Sequence, residues 1–253
     1  MHMNLQSITT QIERDGYLVL SGVFSAGHVD AVLADLSAAL ERNDDAAIRS
    51  EAGTLYAARN LMVCWPAVTS LWQTPRLVEP LAALLGPGFG LVRVLYFDKP
   101  PQQSWALPWH KDMTIAVRDN RLPSTRFTKP TRKAGVPHVE APQELLQRML
   151  FARIHLDGVT EENGPLKVLP GSHRTGKSLS SGNVPPQSIL VERGDVLLIR
   201  PLVEHSSGKS HPDTVRHRRI LHLEFAADPT LPDGYAWHDF VPAASAKFSR
   251  EIP

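Results

Sequence analysis

Residues 150–156 read LFARIHL, and apolar side chains occupy every second position of this stretch. On a β-strand, side chains two positions apart point to the same face. The alternation therefore predicts a strand with one apolar face and an opposite face that carries Arg153 and His155. The pattern leaves open whether these two polar side chains line a cavity.

Three further stretches favour a mainly β fold. Residues 91–98 are rich in Val, Leu, Tyr and Phe, residues 195–199 follow a turn at Gly194, and residues 216–225 alternate again. Short strands separated by Gly and Pro turns are typical of a barrel or a sandwich. We therefore expect the chain to be mostly β from residue 91 onward.

The first third of the chain predicts helices instead. Ser25 can cap a helix whose apolar residues recur at helical spacing, and a second helix over residues 76–85 would stop at Gly86. The apolar positions of the first helix are Val29, Val32, Leu33, Leu36 and Leu40. We expect residues 1–253 to form a single domain, with a helical part of about 1–88 packed on the barrel.

Length and composition exclude several classes of protein. The 253 residues are 42% hydrophobic and 21% charged, which is ordinary for one soluble globular domain. Lysine and arginine number 27 against 26 acidic residues, so no strong field favours nucleic acid or a membrane as partner. Cys64 is the single cysteine, which excludes an internal disulfide and a zinc site built from several cysteines.

No apolar run reaches the roughly 20 residues that a membrane helix needs. We expect a cytoplasmic protein that acts on a small molecule, and the alternative is a periplasmic protein whose signal has been removed. The sequence leaves the oligomeric state open.

Three residues form a pattern that is typical of metal ligands. His110 and Asp112 are two positions apart in WHKD (109–112), so on a strand both side chains can reach one ion. His205 follows the apolar strand 195–199 and can return to the same place. Taken alone, a pair such as His110 and Asp112 is more often a hydrogen-bonded surface pair than a metal site. A lone histidine such as His205 is more often structural than a metal ligand. Together they supply the facial triad of non-haem iron(II) oxygenases, which leaves three of six coordination positions open.

A basic run precedes the last alternating strand. Residues 216–219 read RHRR and lead into ILHLEF. An arginine at the start of such a strand can hold a carboxylate through two parallel hydrogen bonds. The alternative is a solvated basic run without a ligand.

In this order, the motifs resemble the phytanoyl-CoA dioxygenase family, which includes ectoine hydroxylases. The resemblance begins at residues 16–20 and is clearest from Trp109 onward. Besides WHKD and His205, it rests on TEENGPL (160–166), LPGSH (169–173) and GDVLL (194–198). The order of these motifs along the chain is specific for the family, whereas each motif alone is not.

The resemblance implies a double-stranded β-helix, a relative of jelly rolls and cupins, with helices packed outside one sheet. It also implies an enzyme that uses iron(II), 2-oxoglutarate and O2 to hydroxylate a small organic substrate, with release of succinate and CO2. His110 and Asp112 match the family's first two metal ligands, and His205 matches the third. Lys99 would lie near the cosubstrate, and we interpret His173 as structural.

The resemblance also selects the arginine that would hold 2-oxoglutarate. In the family this arginine stands seven residues before an aromatic near the strand end, and Phe225 then selects Arg218. The usual spacing from the last histidine would instead select Arg216, which lies on the same face of a regular strand, whereas Arg219 lies on the other. We choose Arg218, because a loop absorbs two extra residues easily and a strand needs a bulge.

Other classes fit less well. A non-catalytic protein that binds a metal or small molecule on the same fold is the main alternative, and the intact triad argues against it. An iron halogenase lacks the carboxylate ligand, whereas Asp112 is present, so hydroxylation or a related oxidation such as desaturation is favoured. No motif of a zinc protease or a serine esterase occurs.

Residues 111–142 show weak periodicity and contain several prolines. A long stretch without clear structure inside a compact domain predicts a functional loop or lid. Residues 111–133 carry seven basic side chains against Asp112 and Asp119. We therefore expect a lid that favours an anionic substrate, and a solvated basic loop is equally consistent.

Overall fold

The structure, a computed structural model, describes residues 4–101, 104–180 and 184–243. Its helices are α1 Leu5–Asp15, α2 Ala26–Arg42, α3 Leu61–Cys64, α4 Val68–Leu71, α5 Pro75–Leu85 and α6 Gln143–Leu146. The strands of the first half are β1 Tyr17–Leu20, β2 Ala47–Arg49, β3 Leu55–Ala58, β4 Gly90–Lys99, β5 Leu107–His110, β6 Thr114–Ala116 and β7 Thr128–Lys133. The remaining strands are β8 Val136–Glu140, β9 Met149–His155, β10 Leu166–Val168, β11 Gln187–Ile189, β12 Val196–Ile199, β13 His205–Ser207, β14 Arg218–Ala226 and β15 Val241–Pro242.

The strands pair into three antiparallel sheets. The largest has the order β1-β12-β9-β14-β4-β3-β2, and β15 adds to β4. A four-stranded sheet has the order β11-β10-β13-β5, and a three-stranded sheet has the order β6-β8-β7. Phe151 and Ile199 of the large sheet share one apolar cluster with Leu166 and Ile189 of the four-stranded sheet. The fold is mostly β with flanking helices, and its core is the double-stranded β-helix that the sequence predicts.

The helices cover the outer face of the large sheet, as expected. The Ser25 hydroxyl accepts a hydrogen bond from the backbone N–H of His28 and caps α2. The predicted apolar positions of α2 face the core, with Leu33 at its margin. No helix in the described part of the chain is both long and apolar enough to cross a membrane.

An aromatic contact joins the helical part to the large sheet. The fully buried Trp72 packs against Phe225 of β14 with ring centroids 5.0 Å apart, and against Phe89 at 5.5 Å. Burial of side chains this large contributes strongly to the hydrophobic stabilisation of the fold. This contact therefore holds the helical part against the sheet face that lies opposite the site.

Along strand β14, successive side chains point alternately to the two faces of the sheet without a break. Leu221, Leu223 and Phe225 belong to the apolar cluster under the helices. Arg218, Ile220, His222 and Glu224 face a cavity on the other side of the sheet. The register of β14 with β9 is continuous, and the shift in its pairing with β4 comes only between Glu224 and Phe225. The face assignment predicted from the sequence is therefore correct for residues 218–225. It is wrong for Arg216, which precedes the strand and lines a different pocket together with Arg219.

Residues 111–142 differ from the expected structureless stretch. They contain the three-stranded sheet of β6, β7 and β8. Strand β7 is exposed along most of its length, and its register with β8 shifts between Thr128 and Thr131, where Lys129 has a φ of 49°. An exposed strand with an irregular register has no apolar alternation, which explains the weak periodicity. The function of this segment as a lid stays a prediction.

Candidate metal centre

His110 and His205 lie opposite each other on neighbouring strands. His110 ends β5, His205 begins β13, and the two residues are register partners with ring centroids 4.3 Å apart. Asp112 follows β5, and its backbone N–H donates to the carbonyl of Pro201 at 3.0 Å. One ligand atom from each of the three side chains lies within 4.8 Å of the others. The predicted triad is therefore brought together in space, in an arrangement that could hold one metal ion.

Backbone carbonyls fix the orientation of both imidazoles. His110 Nδ1 lies 2.7 Å from the carbonyl oxygen of Pro108, and His205 Nδ1 lies 2.8 Å from that of Val203. Because a carbonyl only accepts, each Nδ1 carries the proton and donates it. Each Nε2 then keeps its lone pair for a metal. Such hydrogen bonds to the ring nitrogen remote from the metal are typical of metal-binding histidines.

The electrostatics keep the ligands in their metal-binding forms. Burial, only partly offset by Asp112, lowers the pKa of His205 to about 4, so its imidazole is neutral at neutral pH. Burial alone would raise the pKa of Asp112, but the charges of His205 and Arg153 outweigh it and lower the pKa to about 2. The site therefore offers a neutral imidazole and an ionised carboxylate without first releasing a proton from either.

His110 and Asp112 open on a cavity of about 530 Å³, part of which is open to solvent. We call it the metal cavity. The large sheet supplies one wall through Leu95, Phe97, Arg218 and Ile220. The four-stranded sheet supplies Leu107, Leu166 and Ser207. The metal cavity therefore lies between the two sheets of the core, with apolar and charged side chains in the same wall.

Arg218 lines this wall, and a second buried cation, Lys99, lies next to it in the sheet. Arg218 of β14 is the register partner of Lys99 of β4, and their exposed fractions are 6% and 0%. Lys99 Nζ donates to Ser207 Oγ at 2.9 Å and to the carbonyl of Gly208 at 2.5 Å, and it lies 4.8 Å from the centre of the Trp105 ring. Arg218 Nε is buried without a hydrogen-bond partner among the described residues.

Burial depresses the pKa of both cations. It lowers the pKa of Arg218 to about 9, and burial together with Arg218 lowers the pKa of Lys99 to about 7. Desolvated charges of like sign disfavour each other unless an anion joins them. This part of the metal cavity is therefore suited to a carboxylate.

The neighbouring arginines, Arg216 and Arg219, have acidic partners of their own. Arg216 is exposed, and its Nε lies 3.6 Å from Glu162. Arg219 points to the opposite face and forms two hydrogen bonds with the carboxylate of Asp157, at 2.8 and 2.7 Å. The geometry therefore favours Arg218 as the anion-binding arginine, and its ligand stays a prediction.

Arg153 contacts the triad. The sequence had left open whether its side chain lines a cavity. Its Nη2 lies 3.9 Å from Asp112 Oδ2 and 3.5 Å from His205 Nε2, and its Nε donates to His222 Nδ1 at 3.1 Å. His155, on the same strand face, is buried with neither ring nitrogen hydrogen-bonded in the described part of the chain. Of the two, Arg153 lines the metal cavity and contacts the candidate ligands.

A buried polar network extends the site along the large sheet, and the sequence reasoning missed it. Arg93 forms an ion pair with Glu224, its register partner, and its Nη1 lies 2.8 Å from His138 Nε2. His222 Nε2 lies 3.4 Å from the same Glu224 carboxylate. The available signal was the strand parity that puts His222 and Glu224 on the face of Arg218.

Basic side chains of the expected lid already have partners. Lys111 is buried, and its Nζ donates to Thr175 Oγ1 at 2.8 Å and to two backbone carbonyls. Arg126 pairs with Asp233, and Lys129 pairs with Glu140. The charge count of this segment therefore gives less reason to expect an anionic substrate than the sequence indicated.

His173 lies outside the metal cavity. Its Nε2 lies 3.2 Å from the carbonyl of Glu13 at the end of α1, and its ring packs against Gly16, where φ is +83°. A Cβ at Gly16 would lie 2.5 Å from this ring. This placement agrees with the structural role that the sequence reasoning gave to His173.

Fold and site together define a class: a double-stranded β-helix in which two histidines and one aspartate meet in the arrangement of a facial-triad metal centre. Comparison with known proteins identifies the family within that class. The model of the phytanoyl-CoA dioxygenase family (PhyH) matches residues 12–218, and the chain belongs to this family.

Among curated proteins, the chain is similar to the ectoine dioxygenase of Bordetella parapertussis, with 26% identity over 167 residues. The match covers 64% of this chain and 47% of that protein, so the chain spans about half the length of the curated relatives it matches. Among solved structures, iron-bound EctD from S. alaskensis superposes with a TM-score of 0.67 at 21% identity, covering 88% of this chain and 76% of that one. The 2-oxoglutarate-dependent epimerase SnoN from nogalamycin biosynthesis has a TM-score of 0.64 at 21% identity, with 91% and 86% covered.

Proposed function

We propose that the protein is an iron(II)- and 2-oxoglutarate-dependent dioxygenase that hydroxylates a small organic substrate. The observation that carries the proposal is the cluster of His110, Asp112 and His205, whose first two members line the same cavity as the buried Arg218. Lys99, the register partner of Arg218, is also buried, and neither cation has an acidic partner among the described residues. A metal centre and a carboxylate-binding pair in one cavity are what this chemistry requires. Membership of the PhyH family and the ectoine dioxygenase relatives support the same activity.

His110, Asp112 and His205 would hold the iron as a facial triad and leave three positions open for the cosubstrate and O2. Bound iron(II) would supply the oxygen chemistry by which 2-oxoglutarate, O2 and a C–H bond of the substrate give succinate, CO2 and an alcohol. Because Asp112 would fill a coordination position with its carboxylate, no place would be reserved for a halide. Hydroxylation is therefore favoured over halogenation.

The chain's own contribution is to bind and orient the cosubstrate. The planar guanidinium of Arg218 can donate two parallel hydrogen bonds to the carboxylate of 2-oxoglutarate that is remote from the metal. Lys99 and the Ser207 hydroxyl, already 2.9 Å apart, can complete the pocket for that carboxylate. Its binding would neutralise two cations that burial otherwise disfavours, which favours the complex over the free site.

The experiment that tests this proposal is an anaerobic titration of the protein with iron(II) and 2-oxoglutarate, followed by visible charge-transfer absorption. We expect the wild type to develop the absorption and Asp112→Ala and His205→Ala to lose it. His211→Ala is the matched control, because that histidine is exposed and lies away from the triad. Wild-type absorption in both triad variants would overturn the ligand assignment.

A second measurement separates an enzyme from a binding protein. A panel of candidate substrates is added in air to the loaded protein, and succinate is quantified. Substrate-dependent succinate supports the dioxygenase. Iron binding without succinate for any compound of a broad panel would favour the non-catalytic alternative.

A further inference from the structure

A second cavity adjoins the metal cavity along the large sheet. It measures about 370 Å³ with the open solvent at its mouth included, and its charged lining includes Arg59, Arg93 and Lys133. Arg93 and Leu95 line both cavities, so the two cavities lie next to each other at these side chains. A molecule anchored in the second cavity would have to pass Arg93 to reach the metal centre.

Two cations in the second cavity have no acidic partner in the described part of the chain. Arg59 follows β3, is half-buried, and its guanidinium has neither a hydrogen bond nor an ion pair there. Lys133 ends β7, and its Nζ donates only to the neutral Thr114 Oγ1, at 3.1 Å. These side chains differ from the basic residues of the same segment that already have carboxylate partners.

The remaining polar groups of the second cavity do not neutralise this pair. Glu224 lines the neighbouring metal cavity, where Arg93 and His222 engage it. Burial, followed by Arg93, lowers the pKa of His138 to about 4, so His138 is neutral. Asp239 also lines the cavity, but its carboxylate is 40% exposed and lies 3.8 Å from His238.

The cations also disfavour one another. Burial, and next the charge of Arg93, lowers the pKa of Arg59, and burial followed by Arg93 and Arg59 lowers the pKa of Lys133. Glu224 acts in the opposite direction on both cations, and Asp112 does so more weakly on Lys133, but burial and the like charges outweigh them. An anion between the cations would relieve their repulsion.

A turn holds Lys133 in place over the second cavity. The side-chain amide of Asn60 donates to the carbonyl of Ala134 at 3.0 Å. Ala134 and Gly135 both have positive φ, 47° and 80°, as in a tight hairpin turn between β7 and β8. This contact ties the hairpin to the residue that follows Arg59, so both cations are positioned before a ligand arrives.

We propose that Arg59 and Lys133 bind an anionic group of the primary substrate, a carboxylate or a phosphate, while the rest of the substrate passes Arg93 and Leu95 to reach the metal. This inference rests on the proposed function and deepens it. It assigns the substrate to the organic acids or phosphate esters that carry a C–H bond some distance from the charge. Arg93 would guide the chain of the substrate between the cavities.

The test is calorimetric titration of the protein, held anaerobically with iron(II) and saturating 2-oxoglutarate, against hexanoate, hexyl phosphate and neutral hexanamide. Saturating 2-oxoglutarate keeps the probes from competing for Arg218. At least one anion should bind at least about tenfold more tightly than hexanamide, and the two anions distinguish a carboxylate site from a phosphate site. Equal affinity for all three probes would overturn the proposal.

Single-residue variants test whether the anion binds at Arg59 and Lys133. Arg59→Gln and Lys133→Gln should each weaken binding of the preferred anion about tenfold while the iron–2-oxoglutarate absorption persists. Arg42→Gln removes the same charge from an exposed position at the end of α2 and should have no effect. Unchanged affinity in both cavity variants would overturn the proposal. Failure of the dioxygenase proposal would instead appear as a wild type without the absorption.

Discussion

Arg218 lies directly opposite Lys99 in the antiparallel pairing of β14 with β4, and neither has a carboxylate within ion-pair distance among the described residues. Two adjacent buried cations raise the free energy of the empty site. The pair therefore indicates an anionic ligand, and it separates Arg218 from the other arginines near the start of β14.

The first prediction ranks two arginines. Arg218→Ala should weaken 2-oxoglutarate binding about ten- to a hundredfold, because a charged hydrogen-bonded pair contributes about 1.5–3 kcal/mol. Arg216→Ala should have little effect, since that side chain is exposed beside Glu162. Calorimetric titration of the anaerobic, iron-loaded variants measures both. The opposite ranking would move the assignment to Arg216.

The second prediction concerns pH and Lys99. Its pKa of about 7 means that the free side chain loses its proton as pH rises through neutrality. A bound carboxylate favours the protonated form, so 2-oxoglutarate affinity should be full below the pKa of the free site and fall as pH rises above it. At pH ~8, binding should take up roughly one proton, and at pH ~6 almost none.

Calorimetry in buffers with different ionisation enthalpies measures this proton uptake. Lys99→Met should bind 2-oxoglutarate more weakly and abolish the uptake, because the titrating amine is gone. The same uptake in Lys99→Met as in wild type would mean that another group titrates.

The third prediction concerns Arg153, which contacts Asp112, His205 and His222 without being a candidate ligand. Arg153→Gln should raise iron(II) affinity about tenfold, because it removes a positive charge that lies 3.5 Å from His205 Nε2, the nitrogen left for the metal. Arg148→Gln is the control, since its partner Asp228 is on the surface. Competition with a metal-binding dye measures both affinities, and an unchanged affinity in Arg153→Gln would show that this charge does not act on the metal site.

The fourth prediction concerns stability away from the site. Trp72→Ala should lower the free energy of unfolding by about 3–5 kcal/mol, because it leaves a cavity against Phe89 and Phe225. Urea denaturation with and without iron(II) measures the loss. Leu71→Ala, at a partly buried neighbour, should cost less. A loss no larger than that of Leu71→Ala would show that the sheet does not depend on this contact.

Strands β9 and β14 of the large sheet could be predicted from the sequence because they are long enough to display their alternation. Nine residues of β14 show which side chains share a face with Arg218, and the structure agrees. The triad could be predicted because the order of its motifs is itself a signal.

The short strands, strand β7 and the second cavity could not be predicted, because they depend on contacts between residues that are distant in the sequence. Strands β10, β11 and β13 have three residues each, too few to alternate visibly. Strand β7 is exposed and irregular, so it reads as a loop. Arg59 and Lys133 line the same cavity although they are 74 positions apart in the sequence. The charge count over residues 111–133 included Lys133 but could not distinguish it from Arg126 and Lys129, which already have partners.

The pairing of β5 with β13 has a consequence for dynamics. Strand β5 is the edge of the four-stranded sheet, its Leu107 and Trp109 are exposed, and its register with β13 shifts between His205 and Ser207. An ion held by His110 and His205 would cross-link the two strands at one end, as a disulfide does. Backbone amides of β5 should then exchange with solvent deuterium more slowly in the metal-loaded protein than in the metal-free protein.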